Sequence, residues 1–320
     1  MYVSLKLNVI QLIDQQTPGL YDLYPKIVNA YKFRPTSEIL LAILDNAARL
    51  GDPKLAFTAL SHLRSSSTLP LKIEEHHMAP LVEALCRDGQ LSKAIETINY
   101  MRDHGVSPVQ NTAIPVHEAI ILAYQEDVPT EEQLAASLNN AYALITTMYE
   151  TNSKKVDVIV MNALLSASVK LNDYHRALTT YKDLSDVTPD IQTYNILLQG
   201  CINLRLRTLG ESLLSELKTK DLKPDAVTYE RLIELCVVSP GEWKDGLGYM
   251  EALTNYGLVP SLNVYIAVGT RMGWEDDQRG LMDLCDEVTQ AYGRTGENAV
   301  RRGATLGEKD RQRDEETRGA

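Results

Sequence analysis

The chain has 320 residues, a formal net charge of −11 and a hydrophobic content of 44%. It is too long for one ordinary hydrophobic core and too apolar for a disordered protein, so it must form two globular domains or one repeat array. The acidic balance counts against nucleic-acid binding, because proteins that bind nucleic acid are usually basic. No apolar run reaches the roughly 18 residues that would span a bilayer, so we expect no membrane span.

The N-terminal segment contains two short stretches with helical apolar spacing, from about Val9 to Ile13 and from Tyr21 to Tyr31. We expect residues 1–36 to form a degenerate helical pair that caps the rest of the chain. The first thirty residues contain two lysines and no arginine, so they do not resemble an Arg-rich transit peptide. Import into an organelle would therefore require an incomplete N-terminus or an internal signal.

From Ser37 onward the sequence repeats with a period of about 35 residues. The segment PDIQTYNILLQGC, which begins at Pro189, aligns without gaps with PDAVTYERLIELC, which begins at Pro224. Earlier copies carry glycine, alanine and proline at matching offsets. The predicted repeat units are residues 37–71, 75–109, 113–157, 158–190, 191–225, 226–261 and 262–293.

Apolar residues recur every three or four positions within a unit, which predicts helices rather than strands. Each unit is therefore predicted to contain two amphipathic helices joined by a short turn. The 113–157 unit is degenerate, with a first helix through Tyr124 and a second from about Gln133 to Tyr149. The predicted fold class is all-α, a solenoid of about seven helix-turn-helix units. A small residue recurs where the paired helices cross, at Ala56, Ala94, Ala177 and Gly210.

The segments TYNILLQGC and ALCRDGQLSKAIE and the terminal KPD and TPD resemble the pentatricopeptide repeat family. The resemblance covers roughly Ser37 to Tyr292. The tetratricopeptide repeat, with its period of about 34 residues, is the alternative, but its Trp, Gly and Tyr signature is absent. The resemblance implies a right-handed superhelix whose first helices line a concave groove for single-stranded RNA, with one base per unit. It also implies a mitochondrial location.

In the pentatricopeptide repeat family, the fifth and the last residue of a unit select the base. Carried over to this sequence, the resemblance implies two reading pairs, Asn162 with Asp190 and Asn195 with Asp225. Both resemble the combination that prefers uridine.

An apolar residue at the second position of the family's unit wedges between bases. The resemblance implies Ile159 and Val227 as wedges, whereas Gln192 stands at this position in the 191–225 unit. Other units depart from the pattern at the reading positions, which are occupied by Glu230 with Ser261, Leu41 with Leu71, and Ala79 with Val109. At most two adjacent units therefore look competent to read a base.

Three cations, Arg49, Arg87 and Lys170, occupy the same unit position near the end of a first helix. A row of charges along one side of an array is suited to contacting phosphates. A cation at a helix C-terminus also suits the helix dipole without any ligand. Both explanations remain open at this point.

No other motif indicates catalysis or metal binding. His76 and His77 point about 100° apart on a helix and cannot share a metal. We expect Cys86, Cys201 and Cys236 to be buried in the core. The sequence contains no phosphate-binding glycine loop, GxSxG elbow or HExxH motif, so we expect no enzymatic activity, cofactor or metal.

The C-terminal segment from Arg294 has one leucine and one valine as its only sizeable apolar residues. We therefore expect residues 294–320 to be a disordered charged tail.

Two functions follow from the sequence. The first is an organellar, mitochondrial RNA-binding protein that acts in transcript processing, stability or translation, with no DNA binding expected. The alternative is a non-enzymatic protein-binding scaffold, such as a mitoribosome-associated or complex-assembly factor. The net charge favours the scaffold, and the two reading pairs favour RNA.

Overall fold

A computed structural model of the chain describes residues 35–66, 72–122, 124, 127–152, 156–184, 186–239 and 243–319. Within these ranges the protein is entirely helical, with 14 helices and no strand. The helical pair expected in residues 1–36 lies outside the described residues, apart from the two that precede the first helix. None of the described helices has the length and apolarity that a membrane span requires.

The helices fall into two compact halves, Met1–Thr188 and Pro189–Ala320. The N-terminal half contains α1 (Ser37–Leu50), α2 (Pro53–Ser66), α3 (Glu75–Arg87), α4 (Leu91–Asp103), α5 (Gln110–Ile120), α6 (Glu131–Asn152), α7 (Val158–Lys170) and α8 (Tyr174–Asp183). The C-terminal half contains α9 (Ile191–Leu204), α10 (Arg207–Thr219), α11 (Ala226–Val238), α12 (Asp245–Asn255), α13 (Leu262–Glu275) and α14 (Gln278–Gly319).

Within each half the helices stack as repeated hairpins. In the N-terminal half, α1 packs against its partner α2 and against α3, the first helix of the next hairpin, and α3 packs likewise against α4 and α5. In the C-terminal half, α9 contacts α10 and α11, and α11 contacts α12 and α13. The predicted all-α helical repeat fold is confirmed. Six first helices begin at the first residue of a repeat unit, at positions 37, 75, 158, 191, 226 and 262.

Small residues lie where the helices approach most closely. Ala56, Ala94 and Ala177 are completely buried. A Cβ added at Gly210 would overlap the side chain of Leu235 on α11, the first helix of the next hairpin. Small residues at these positions therefore fill the interior without forcing the helices apart.

The third hairpin differs from the sequence prediction. Helix α5 begins at Gln110, three residues before the expected unit, and ends at Ile120 instead of continuing through Tyr124. Leu122 adopts a left-handed backbone conformation (φ 56°), which interrupts the helix. The second helix, α6, runs from Glu131 to Asn152 and so extends beyond both predicted ends.

The expectation of a disordered tail is wrong. Gly293, with a φ of 67°, divides α14 into two helical arms, and the second arm spans residues 294–319. Val300 and Ala304 of this C-terminal arm are buried in the core of the C-terminal half. A Cβ added at Gly273 of α13 would overlap the backbone of Ala304. The arm is ordered because small residues let two helix backbones approach closely, so it needs few large apolar side chains.

The cysteines are core residues, and His77 caps the start of a helix. Cys86, Cys201 and Cys236 are buried, which confirms their predicted core positions, and burial raises the pKa of the Cys86 thiol to about 12. His77 is also buried, and its Nδ1 accepts a hydrogen bond from the backbone nitrogen of Glu74 at 3.0 Å. This bond closes a capping box at the start of α3.

Candidate nucleic-acid interface

In the units that end at positions 109, 157, 190, 225 and 261, the last residue is also the N-cap of the following first helix. Asp190 and Asp225 occupy this position before α9 and α11. The Asp225 carboxylate accepts a hydrogen bond from the backbone nitrogen of Thr228 at 2.8 Å, and the Asp190 carboxylate accepts one from Thr193 at 2.9 Å. Such a cap stabilises a helix by about 1 kcal/mol, so local folding alone fixes where these carboxylates lie.

The predicted reading pair of the 191–225 unit is brought together. Nδ2 of Asn195 donates to Oδ1 of Asp225 at 3.2 Å, across 30 residues of sequence. The Thr228 hydroxyl lies 2.8 Å from Oδ1 of Asn195 and 2.8 Å from Oδ1 of Asp225. Asn195 is only 2% exposed, whereas Asp225 is partly exposed. The Asp225 carboxylate is therefore the surface-accessible member of this three-residue network.

The same two positions also meet in the next unit, with different chemistry. Oε1 of Glu230, the fifth residue, accepts a hydrogen bond from the backbone nitrogen of Ser261, the last residue, at 2.7 Å. The guanidinium of Arg231 is adjacent, and burial lowers its pKa. The fifth and last residues are thus in contact in two consecutive units, although only one of these units carries residues predicted to read a base.

The other predicted reading pair is divided between the two halves. Asn162 belongs to the N-terminal half and Asp190 to the C-terminal half. Asn162 is buried on α7, and Asp190 is a partly exposed cap on α9.

The two residues that the resemblance implies as wedges differ in their exposure to solvent. Val227 is 41% exposed, as contact with a base requires, whereas Ile159 is 7% exposed and offers little surface to a ligand.

The three cations of the predicted row have different surroundings. Arg87 forms an ion pair with Glu83 at 2.9 Å, and its guanidinium carbon lies 4.4 Å from the centre of the Tyr124 ring. Arg49 and Lys170 are exposed, and neither forms an ion pair with a residue that the structure describes. Nε of Arg49 donates to the backbone oxygen of Asp45 at 3.4 Å, as expected of a cation at a helix C-terminus.

The row of cations is confined to the N-terminal half. At the same offset, the first helices of the C-terminal half carry Asn203, Val238 and Trp274. Near Lys170, burial and the lysine charge together lower the pKa of His117. His117 is therefore mostly uncharged at neutral pH and does not add a cation to the row.

Sequence reasoning missed the two threonines that organise the reading positions. Thr193 and Thr228 are fully buried, and each returns a hydrogen bond from its hydroxyl to the preceding aspartate. The available signal was a threonine three residues after the aspartate, which is the spacing of a capping box. Among the residues the structure describes, no group of three or more His, Cys, Asp or Glu side chains could hold a metal ion.

Two family models match the chain. The model described as "Pentatricopeptide repeat-containing protein" matches residues 37–184, and the one described as "Pentatricopeptide repeat domain" matches residues 183–239. Together they extend over the repeat units from the first hairpin through α11.

Two Arabidopsis thaliana proteins are similar in sequence. A putative pentatricopeptide repeat-containing protein is 38% identical over 80 residues, which are 25% of this chain and 16% of the relative. Another pentatricopeptide repeat-containing protein is 30% identical over 111 residues, which are 32% of this chain and 19% of the relative. The matched region therefore spans less than a fifth of either relative.

Among solved structures, the chain is similar to the pentatricopeptide repeat protein PPR10. The crystal structure of PPR10 in complex with an 18-nt psaJ RNA element matches 90% of this chain and 48% of its own, with 18% identity and a TM-score of 0.39. The crystal structure of PPR10 from maize matches 81% of this chain and 40% of its own, with 20% identity and a TM-score of 0.40.

Proposed function

Because the chain belongs to the pentatricopeptide repeat family, we propose that it binds single-stranded RNA and selects uridine at one position. The contact between Asn195 and Asp225 carries this proposal. It holds a carboxylate at the unit edge, where the family places its base-reading residue. Thr228 fixes the geometry of both side chains. Reading residues held in this way lose little conformational entropy when a base binds.

The chemistry of the pair favours uracil over cytosine. An ionised carboxylate only accepts hydrogen bonds, so Asp225 requires a base edge that presents an N–H group. Uracil presents its N–H group at N3, in the middle of the Watson–Crick edge, whereas cytosine has a lone pair at N3 and presents an N–H group only at the exocyclic N4. A carboxylate aimed at the middle of the edge is therefore attracted by uracil and repelled by cytosine. Asn195 is almost completely buried and bonded to both Asp225 and Thr228, so its part is to orient the Asp225 carboxylate toward the base.

In this proposal, Arg49 and Lys170 contact phosphates of the RNA. Arg87 also contacts a phosphate but contributes less to the affinity. The first two have no competing ion pair among the described residues, so their charge is available to an incoming phosphate. Arg87 already lies against Glu83, which offsets much of its charge. The row is therefore weaker than a count of three cations indicates.

We further propose that the protein is a mitochondrial factor that acts in transcript processing, stability or translation, as the family resemblance implies. The non-enzymatic scaffold remains the second candidate, and a specific observation favours it. The units that contain α1 and α3 carry Leu41, Ala79 and Val109 at reading positions, and none of these side chains can hydrogen-bond a base edge.

Base selection is tested by replacing Asp225 with asparagine. Asparagine caps helices about as well as aspartate, so the fold is retained while an acceptor becomes a group that also donates. Fluorescence anisotropy with labelled oligo(U) and oligo(C) should show the U-to-C affinity ratio falling about tenfold, a typical cost of a mismatched base contact. Asp173→Asn is the matched control, because Asp173 caps the second helix α8 and should leave the ratio unchanged.

Phosphate contact is tested by salt dependence. Each neutralised phosphate contributes about −0.7 to the slope of log affinity against log salt for single strands. Lys170→Ala should therefore flatten the slope by about 0.7, and Arg87→Ala by less. Lys182→Ala, on the second helix α8, is the control. A chain that binds no RNA at low salt would exclude the RNA assignment and leave the scaffold.

A further inference from the structure

A groove lies between the second helices α2 and α4, over the first helix α3. We call it the α2–α4 groove, and its volume is about 860 Å³. Three side chains of α3, Met78, Leu81 and Leu85, form its floor, and Phe57 of α2 and Tyr100 of α4 form its walls. The groove is therefore built from residues of two consecutive hairpins in the N-terminal half. None of its lining residues belongs to the proposed reading pairs or to the row of cations.

The two aromatic residues of the walls are exposed to solvent, which is unusual for large apolar side chains on a helix surface. Phe57 is 63% exposed and Tyr100 is 44% exposed. The ring of Tyr100 stacks on His104, with ring centres 3.9 Å apart. Exposed aromatic side chains beside an apolar depression are typical of protein-binding surfaces, where such residues supply most of the binding energy.

The rim of the groove is basic although the protein is acidic. Four exposed cations line it, Lys54, Arg64, Lys72 and Lys93. None of the four forms an ion pair with any residue in the described part of the chain, in contrast to Arg87, which is paired with Glu83. Of the described residues that line the groove, Glu96 is the single acidic one. Cations that are not neutralised by a carboxylate, around an apolar floor, are complementary to an acidic ligand with apolar anchors.

We propose that the α2–α4 groove docks an acidic amphipathic helix of a partner protein. The 14 residues of α2 extend about 20 Å, so the groove accommodates about three to four turns of a bound helix. Apolar residues of the partner on one face, spaced by three and four positions, would contact the floor and the two aromatic walls. Its carboxylates would then meet the four cations of the rim.

The shape of the groove favours a protein over RNA as the occupant. Bases bind non-specifically by stacking on accessible aromatic faces. Here the floor is aliphatic and recessed, and the Tyr100 ring is already stacked on His104. Aliphatic side chains of a partner fill such a depression better than flat bases do.

The test uses the full chain and a synthetic peptide. The probe is a fluorescein-labelled helical peptide of about 16 residues with leucine at i, i+4, i+7 and i+11 and glutamate at most other positions. The control peptide has lysine in place of each glutamate. We expect the acidic peptide to bind at least about tenfold more tightly than the basic one, because the rim is positive.

Variants locate the binding site. Phe57→Ala together with Tyr100→Ala should weaken the acidic peptide at least about tenfold, and Lys54→Glu together with Lys93→Glu should abolish its preference over the basic peptide. Tyr256→Ala, an exposed aromatic residue in the C-terminal half, is the matched control and should have no effect. All substituted side chains are exposed, and thermal melting by circular dichroism checks that the fold is retained.

Two outcomes would overturn the proposal. In the first, the acidic peptide binds no more tightly than the basic one, or the double alanine variant binds it as the parent does. In the second, oligo(U) displaces the peptide and the double glutamate variant loses RNA affinity, which would make the groove an RNA surface. Peptide binding that persists when Asp225→Asn or Lys170→Ala alters RNA binding would show that the two sites are separate.

Discussion

Replacing Gly273 by alanine should loosen the C-terminal arm from α13. A Cβ at this position would overlap the backbone carbonyl group of Ala304, and a Cβ at Gly307 would overlap the backbone oxygen of Thr270 in the same way. The obstructing atoms belong to helix backbones and not to the ends of flexible side chains. The two helices must therefore separate to admit even one methyl group.

The expected magnitude combines two opposing effects. Alanine is favoured over glycine inside a helix by about 1 kcal/mol. Overpacking costs about 1 to 3 kcal/mol, and a backbone obstruction places this case at the upper end. The net loss in the free energy of unfolding should be about 2 kcal/mol for Gly273→Ala. Gly248 is exposed on α12 and has no heavy atom within 4 Å of an added Cβ, so Gly248→Ala should show only the gain.

The two variants should thus differ by about 3 kcal/mol in urea-induced unfolding followed by circular dichroism. Limited trypsin digestion provides a second measurement, because the arm is rich in arginine and should be cleaved faster when it detaches from α13. Equal stability of Gly273→Ala and Gly248→Ala, with equal cleavage rates, would refute the close packing of the arm.

Three further predictions concern the hairpins and their caps. Ala94→Leu and Ala177→Leu should each cost about 1 to 3 kcal/mol by overpacking, whereas the exposed Glu96→Leu should cost little; equal melting temperatures would contradict this placement. Asp190→Ala should lower the free energy of unfolding by about 1 kcal/mol through loss of the cap, and Asp190→Ser by much less. Burial lowers the pKa of His77, so the unfolded chain takes up its proton first and stability should fall as pH drops below about 6.5. His77→Gln should reduce this loss in urea titrations at pH 7.5 and pH 5.5.

The helical register was most predictable in the two units where two independent signals coincide. Apolar spacing locates the helices, and the Pro-Asp pair before Ile191 and Ala226 marks where first helices begin. The third hairpin lacks a sequence signal that marks where its first helix ends. The apolar spacing continues through Ile121 and Tyr124, yet α5 ends at Ile120 and Leu122 is left-handed, with no glycine or proline in the sequence to mark the end.

The C-terminal arm could not be predicted from its content of large apolar residues. Its ordering depends on glycines spaced by four positions on both helices, Gly269 and Gly273 on α13 and Gly303 and Gly307 on the arm. Glycine disfavours an isolated helix, so the same residues argue against order when the segment is considered alone. The glycines favour order only when the two helices pack against each other, because they then allow the backbones to approach closely.

The reading positions came from the family resemblance, but their availability depends on contacts distant in sequence. The burial of Asn195 results from Thr228 and Asp225, which lie 33 and 30 residues away. Arg87 shares its unit offset with Lys170, yet its ion pair with Glu83 and its contact with Tyr124 reduce the charge available to a ligand. A position in a repeat therefore predicts where a side chain lies better than it predicts what that side chain is free to bind.

The last residue of a unit, which we propose selects the base, also has a capping role, and the two roles favour the same residue types. The residues that cap helices best are Asp, Asn, Ser and Thr, and these also present short hydrogen-bonding groups to a base edge. In this chain Asp225 both caps α11 and contacts Asn195. Val109 precedes α5 without any side-chain cap, in a unit whose fifth residue cannot read a base. An apolar last residue therefore removes two groups at once, because the Val109 side chain can neither cap α5 nor hydrogen-bond a base edge.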